Sequence, residues 1–211
     1  MALKNRSQNT FAFFDFDGTI TYFDTFGLFC LWTSPVRIVT RAPKLIASMT
    51  KYIQSKQNAS KTKEDICVEI FWGMNKKIFQ KKCVSFAKYI IPLLIKKTAI
   101  RKIQWHNKQG HQLAIVTRSP IHYIDPWATR AGNGFKKTIG TQLRMNKTNI
   151  IGTFATPNCG DFQKITAIYK TYPQLEQKNH KNIVYAYGDS SSDLPMLTLA
   201  TDDNHRFYKR F

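Results

Sequence analysis

Short runs of continuous apolar residues alternate along the chain with longer stretches in which apolar residues recur at helical spacing. A continuous run is typical of a strand buried on both faces of a parallel sheet, whereas the helical spacing predicts amphipathic helices between the strands. Strands that alternate with helices predict an α/β fold with a parallel sheet. The predicted strands are 11–14, 112–117, 135–140, 182–187 and 205–209, with a β-hairpin over 142–147 and 149–155.

Most of the predicted helices fall between the first two strands. Residues 26–91 predict a small helical bundle, and residues 1–25 and 92–211 supply the alternating strands and helices of the sheet. The pattern therefore predicts a core interrupted by an inserted helical module. The expected helices are 26–32, 35–52 with a kink at Pro43, 63–72, 76–91, 92–107, one from Pro120 through Ala131, 161–172 and 196–200, with a polar loop over 54–62.

The charge of the chain is strongly positive. The 211 residues carry a formal net charge of +19, and residues 26–100 hold 14 Lys or Arg against three acidic residues. Such a field attracts phosphorylated substrates, anionic lipid headgroups or nucleic acid, and a solvated lysine-rich surface is an equally open interpretation. Neither an aromatic-rich RNA-binding motif nor a basic helix of the DNA-reading type is present, so no specific nucleic acid is expected.

The cysteines and the apolar segments bear on location. Four cysteines lack a C-x-x-C pair and metal-ligand spacing, which favours a reduced, intracellular protein. Residues 1–10 lack the apolar core of a signal peptide, and no run approaches the ~18 apolar residues of a membrane-spanning helix. We therefore expect a cytoplasmic protein, with peripheral contact to the inner face of the membrane left open by the basic bundle.

Two carboxylates follow the first predicted strand. Asp15 and Asp17 are two residues apart, so on an extended backbone both project to the same side. Ligands bind at the carboxyl ends of strands in open α/β sheets, and paired carboxylates favour a cation such as Mg²⁺. Gly18 permits a tight turn and Thr19 adds a hydroxyl. An ordinary Asp-rich turn is the competing interpretation.

A second acidic pair follows a later strand. Asp189 and Asp193 lie four residues apart, one turn of a helix opened by Ser190–Ser192. Either residue could serve only to stabilise the helix N-terminus through its dipole. Two strand-end acid pairs in one small chain favour a shared site.

Together these motifs resemble the haloacid dehalogenase-like (HAD) hydrolases, and within them subfamily IB, the phosphoserine-phosphatase-like members. The resemblance runs from about Phe11 to the C-terminus and implies a Rossmann-like core with an inserted α-helical cap of the C1 type. The residues that carry it are Phe11–Thr19, Asp24–Phe26, Gln104–His106, Pro126–Ala128, Asn158–Cys159 and Gly188–Leu197.

The resemblance implies roles for the four aspartates. Asp15 would be the nucleophile that becomes an aspartyl-phosphate, and Asp17 the general acid and then the base. Asp189 would bind Mg²⁺ directly with Asp15 and the backbone carbonyl of Asp17, while Asp193 would orient the metal's waters.

The resemblance also implies a phosphate-binding set: Gly18, Thr117, Lys164 and Arg118. Arg118 stands where the subfamily usually has a small residue, and two interpretations stay open: an added phosphate contact, or a bulky neighbour that points away. Phosphoserine phosphatases carry Glu nine residues beyond the nucleophile, where this chain has Asp24. We therefore do not expect dedicated phosphoserine specificity.

We expect a Mg²⁺-dependent phosphomonoester hydrolase that acts on a phosphorylated small molecule or lipid headgroup. The Asp24–Gly27 and Phe71–Gly73 segments also resemble phosphatidylglycerophosphatase C, which leaves a lipid phosphate phosphatase at the membrane surface as an alternative. A second alternative is a non-catalytic anion-binding or nucleic-acid-binding protein on the same scaffold.

Overall fold

A five-stranded parallel sheet forms the centre of the molecule. The computed structural model describes residues 9–54, 59–130, 132–176 and 182–209. The strand order is β3-β2-β1-β6-β7, and every neighbouring pair is parallel. The predicted parallel sheet with flanking helices is confirmed. The strands are β1 Asn9–Phe14, β2 Gln112–Pro120, β3 Phe135–Thr141, β6 Asn182–Gly188 and β7 Arg206–Tyr208, with an antiparallel hairpin of β4 Leu143–Met145 and β5 Ile150–Phe154.

Helices cover both faces of the sheet. The side chains of the central strand point alternately to the two faces, and they are buried on both. Phe11 and Phe13 of β1 face one layer, whereas Ala12 and Phe14 face the other. All four are fully buried, as expected for a strand between two parallel neighbours. The helices are α1 Phe26–Thr33, α2 Pro35–Thr40, α3 Ala42–Gln54, α4 Ala59–Phe71, α5 Lys76–Tyr89, α6 Ile91–Leu94, α7 Lys97–Lys108, α8 Ile121–Ala128, α9 Phe162–Thr171 and α10 Leu194–Leu197.

The helices inserted between β1 and β2 share a continuous apolar cluster with the sheet. Phe29 of α1 stacks on Tyr123 of α8 with ring centroids 4.2 Å apart, and Phe86 of α5 packs edge-on to the same tyrosine. Phe14 of β1 belongs to the same cluster. The inserted helices are therefore anchored by aromatic packing on the core. The boundaries of the core and of a cap over 26–91 stay predictions.

Two predicted helices are each divided in the structure. The helix predicted over 35–52 is wrong as a single element: α2 ends at Thr40 and α3 begins at Ala42, before the expected kink. A proline is tolerated only in the first turn of a helix, so a new helix, α3, begins at Ala42 and has Pro43 as its second residue. The helix predicted over 92–107 is interrupted at Ile95 and Lys96. The backbone N–H of Lys96 donates to the carbonyl of Ile20, and Ile95 forms an antiparallel bridge with Thr21, so this stretch pairs outside any helix.

Other boundaries shift by a few residues. α4 begins at Ala59, inside the loop predicted over 54–62, of which residues 55–58 lie outside the described residues. β2 runs to Pro120, three residues further than predicted, and α10 ends at Leu197. Within the described residues, the structure contains no helix whose length and hydropathy would let it cross a bilayer.

A buried histidine joins α7 to the sheet. His106 is fully buried, its Nε2 lies 2.9 Å from the hydroxyl oxygen of Tyr187, and its Nδ1 lies 2.7 Å from Nδ1 of His111. Burial, with smaller contributions from the charges of His111 and Lys102, lowers the pKa of His106 to about 3. The folded protein therefore holds this imidazole neutral in mildly acidic solution.

The buried, neutral His106 should make the free energy of unfolding depend on pH. In an unfolded chain a histidine has a pKa of about 6.5. Between that pH and about 3, the imidazole therefore binds a proton in the unfolded state and stays neutral in the folded state. We expect the free energy of unfolding to fall as the pH falls through this window, and to fall less in His106→Gln. Denaturant titrations of both proteins across the window would measure the difference. Parallel profiles for the two proteins would contradict this assignment.

Candidate active site

Three aspartates meet where neighbouring strands end. β1 ends at Phe14, directly before Asp15, and β6 ends at Gly188, directly before Asp189. Because the two strands are parallel neighbours, their carboxyl ends lie at the same edge of the sheet. Asp193, in the turn after β6, completes the cluster. One carboxylate oxygen from each of the three residues lies within 4.8 Å of the others.

A buried lysine stands between two of these carboxylates. Lys164 of α9 is fully buried, and its Nζ lies 2.5 Å from Oδ1 of Asp15 and 2.6 Å from Oδ1 of Asp193. The same ammonium donates to the carbonyl of Val116 at 2.8 Å, which uses its third N–H. The ammonium thus offsets part of the negative charge of the cluster.

The surroundings set the ionisation of these groups differently. Burial raises the pKa of Asp15 to about 7, although Lys164 acts in the opposite direction. Burial also disfavours the charged form of Asp193, yet Lys164 and the hydrogen bonds from Ser190 hold the pKa of Asp193 below its usual value. Oδ2 of Asp193 accepts from the N–H groups of Asp189 and Ser190 and from the Ser190 hydroxyl. Asp193 is therefore fully engaged by the protein, whereas no donor among the described residues reaches Oδ2 of Asp15.

The side chain of Asp17 lies outside this three-carboxylate cluster. Its Oδ1 accepts from the backbone N–H of Thr25 at 2.8 Å and from the Thr25 hydroxyl at 2.6 Å. Its Oδ2 accepts from the hydroxyl of Ser119. Burial, followed by the nearby charge of Asp24, raises the pKa of Asp17. The structure thus separates Asp17 from Asp15, its neighbour in the motif, by giving it its own set of donors.

Of the remaining predicted residues, Gly18, Thr117 and Arg118 line one pocket of about 560 Å³. Thr117 is buried within β2, three residues before the strand ends, and its hydroxyl oxygen accepts from the N–H of Ser119 at 3.0 Å. The side chain of Arg118 lies against Gly160, where an added Cβ would come within 2.6 Å of Nε. Lys164 lies behind the carboxylates, outside the pocket lining. The residues that line the pocket include Asp15, Asp17, Gly18, Asp24, Phe26, Lys63, Thr117, Arg118, Ser119, Asp189 and Ser190.

Ser119 and Lys63 are among the lining residues that the sequence analysis did not predict for the site. Ser119 lies two residues beyond Thr117 on β2, so strand periodicity could have placed it on the same side. Lys63 of α4 donates to the Ser119 hydroxyl at 3.2 Å. No local signal distinguishes Lys63 from the other 31 basic residues, because only the packing of α4 brings it to the pocket.

The donor set fits a hard divalent cation. All the clustered ligand atoms are carboxylate oxygens, which Mg²⁺ prefers. Oδ1 of Asp189 accepts from the Thr19 hydroxyl at 2.7 Å, which orients that carboxylate toward Asp15. Gly18 leaves room beside it, since a Cβ at this position would lie 2.3 Å from Oδ2 of Asp189. Asp15 and Asp189 are the residues best arranged to hold such an ion.

Replacement of Gly18 tests this arrangement. Gly18 has φ +79°, a conformation that L-residues rarely adopt, so Gly18→Ala should both strain the backbone and displace Asp189. We expect the free energy of unfolding to fall by about 1–3 kcal/mol in denaturant titrations. Gly27→Ala is the matched control: it lies in α1 with open space around it and should stabilise the protein by up to about 1 kcal/mol. Equal stabilities of Gly18→Ala and wild type would contradict the close approach.

Solved structures with the same fold support the architecture. A protein of unknown function from Bordetella pertussis Tohama I matches with TM-score 0.74 and 18% identity, over 92% of this chain and 88% of that chain. A substrate-bound phosphoserine phosphatase matches with TM-score 0.58 and 14% identity, over 93% of this chain and 84% of that chain. At these identities the similarity concerns the fold.

Sequence comparison assigns the family. Protein CicA of Caulobacter vibrioides is 27% identical over 198 residues, which is 93% of this chain and 85% of that protein. The family model described as haloacid dehalogenase-like hydrolase matches residues 12–198. That match extends from β1 to the end of the second acidic motif. The chain belongs to the haloacid dehalogenase-like hydrolases.

Proposed function

We propose that this hydrolase is a Mg²⁺-dependent phosphomonoesterase that works through an aspartyl-phosphate on Asp15. The observation that carries the proposal is the buried ammonium of Lys164 between Asp15 and Asp193, in a carboxylate cluster whose members Asp15 and Asp189 line a pocket. A phosphoryl group that enters the pocket would meet Asp15, whose Oδ2 accepts no hydrogen bond from the residues that the structure describes. The phosphatases among the structural relatives make phosphate esters the natural first substrates to try.

The transfer to Asp15 follows from the contacts of its two oxygens. Lys164 holds Oδ1, so the carboxylate is fixed while its other oxygen accepts no hydrogen bond from the described residues. Attack by a carboxylate oxygen forms a new bond to phosphorus as the bond to the ester oxygen breaks. Asp17, held in place by Thr25 and Ser119, would give its proton to the departing oxygen.

Hydrolysis of the aspartyl-phosphate would restore the enzyme. A water molecule attacks phosphorus, Asp17 takes the water's proton, and inorganic phosphate leaves as the Asp15 carboxylate re-forms. Burial raises the pKa of Asp17 above its usual value, which favours a carboxyl group that can hold the proton it must give to the leaving oxygen. The same side chain thereby serves both half-reactions.

The charge of the phosphoryl group requires compensation. Thr117, Arg118 and the backbone at Gly18 are the proposed contacts for its oxygens, since preorganised donors stabilise the transition state. Lys164 would add positive charge from behind Asp15, because its three N–H groups already donate to Asp15, Asp193 and Val116. Asp15, Asp189 and the carbonyl of Asp17 would hold Mg²⁺, and Asp193 would support them from behind. When bound, the ion supplies further positive charge for the phosphoryl oxygens.

The inserted helices contribute to the same pocket. Thr62, Lys63 and Ile66 of α4 line it opposite the strand ends. Residues 26–91 therefore fit the role of a cap that encloses the substrate, with residues 1–25 and 92–211 as the catalytic core. Asp24 also lines the pocket, and its Oδ1 accepts from the N–H of Phe26.

Phosphate release across a substrate panel tests the proposal. The panel comprises nitrophenyl phosphate, phosphoserine, sugar phosphates, nucleotides and phosphatidylglycerophosphate in vesicles, each with Mg²⁺ and with chelator. We expect Asp15→Asn to lower turnover by about a thousandfold or more, because the amide cannot act as the nucleophile. Asp203→Asn, which changes a carboxylate that is 93% exposed, is the matched control and should retain activity. Turnover that survives Asp15→Asn would contradict the proposal, and no turnover on any substrate would favour a binding role for the fold.

A lipid phosphate is a second candidate substrate because the pocket has an apolar, exposed rim. Tyr22 and Phe23 line the pocket and are 58% and 51% exposed. On α2, Val36 and Val39 are more than 70% exposed, close in sequence to Arg37 and Arg41. Apolar side chains among basic ones suit the surface of an anionic bilayer. In the same panel, the vesicle substrate should then exceed every water-soluble ester, and a soluble ester as the best substrate would exclude this candidate.

A further inference from the structure

One cation from the inserted helices is hydrogen-bonded to the strand ends. Lys63 of α4 donates from Nζ to the hydroxyl of Ser119 at 3.2 Å, and its ammonium lies 4.7 Å from the ring centroid of Phe26. Ser119 is almost completely buried. This contact connects an inserted helix with a residue that itself touches the proposed acid and base.

The chemistry of Lys63 and Ser119 determines which of them donates the hydrogen bond. A lysine ammonium has only donors, whereas a serine hydroxyl has one donor and two acceptor lone pairs. Lys63 therefore occupies a lone pair of Ser119 and leaves its hydrogen free to point elsewhere. That hydrogen points at Oδ2 of Asp17, which can only accept when it is ionised. The three groups form a one-directional chain from α4 to Asp17.

Ser119 also donates the remaining hydrogen bond to the carboxylate of Asp17. Both donors of Thr25 reach Oδ1, so Oδ2 depends on Ser119 for its hydrogen bond among the described residues. If the Ser119 hydroxyl turned away, the carboxylate would be free to swing about the Thr25 contacts. The orientation of the acid and base thus depends on a hydroxyl that Lys63 contacts from α4 and that also lies in hydrogen-bond contact with Tyr123 of α8.

We propose that Lys63 is a positioning residue that fixes the Ser119 hydroxyl toward Asp17, so that docking of α4 assembles the acid–base group. The catalytic consequence rests on the proposed phosphomonoesterase function, whereas the structural consequence does not. The competing role for Lys63 is direct contact with the substrate. The experiments below distinguish that role from the positioning of Ser119.

The structural consequence can be tested without turnover. Crystal structures of wild type, Lys63→Met and Lys61→Met would show the side chain of Ser119 and its distance to Oδ2 of Asp17. We expect the contact between Ser119 and Asp17 to be lost in Lys63→Met and kept in Lys61→Met. Lys61 is the matched control because its exposed ammonium, on the same helix, pairs with Glu64 and Asp65. An unchanged Ser119–Asp17 contact in Lys63→Met would overturn the proposal.

The catalytic consequence is tested with two classes of ester. An alkyl phosphate needs a proton for its leaving oxygen, whereas nitrophenolate departs as a stable anion. We expect Lys63→Met to lower kcat for the alkyl ester by about 100-fold, as for a misplaced catalytic group, with much less effect on nitrophenyl phosphate and on KM. Lys63→Arg, which retains a donor, should restore most of the rate. A rise in KM alone, equal for both esters, would assign Lys63 to substrate binding and overturn the proposal.

A double-mutant cycle with Ser119→Ala completes the test. If Lys63 acts through Ser119, the loss caused by Lys63→Met should vanish in the Ser119→Ala background. Additive losses would overturn the proposal. If the wild-type protein hydrolyses neither ester, the proposed function fails, and the crystallographic comparison still decides the positioning role.

Discussion

The ammonium group of Lys164 lies between the carboxylates of Asp15 and Asp193 in a region closed to solvent, and the geometry of the site depends on this contact. Removing charges from water is costly, so a buried pair persists only when its partners are held at hydrogen-bond distance. Here one partner follows β1, another follows β6, and the lysine comes from α9. The sheet register and the position of α9 are thus tied to the arrangement of charge, because a shift of any of these elements would leave an unpaired buried ion.

The packing below the site explains how such an arrangement can be rigid. Phe14, the last residue of β1, stacks on Tyr187 of β6 at a centroid distance of 4.3 Å, directly before the two acidic motifs begin. The inserted helices extend the same apolar cluster through Phe29 and Tyr123. Tyr123 in turn lies 3.1 Å from the hydroxyl of Thr25, which holds Asp17. The apolar core and the polar site are therefore continuous, and the inserted helices influence Asp17 both through this packing and through Lys63.

The sequence allowed the sheet and the acidic cluster to be predicted because both depend on local patterns. The apolar run before Asp15 and the run before Asp189 each specify a buried strand, and parallel strands must bring their carboxyl ends together. Strand periodicity from Thr117 could have indicated Ser119, but Lys63 could not be inferred in the same way, since it reaches Ser119 from 56 positions away in the chain. The interruption at Ile95 was equally hidden, because the pairing with Thr21 that extends the backbone there is a tertiary contact.

The most direct test of the account is the identity of the group that carries the phosphoryl during turnover. Protein quenched in acid while it hydrolyses a radiolabelled phosphate ester, then digested and analysed by mass spectrometry, would reveal any acyl phosphate. The account predicts a phosphoryl group on Asp15, absent from Asp15→Asn protein and unstable to hydroxylamine, as an acyl phosphate should be. Steady release of phosphate with no phosphorylated Asp15, or with the label on another residue, would contradict it.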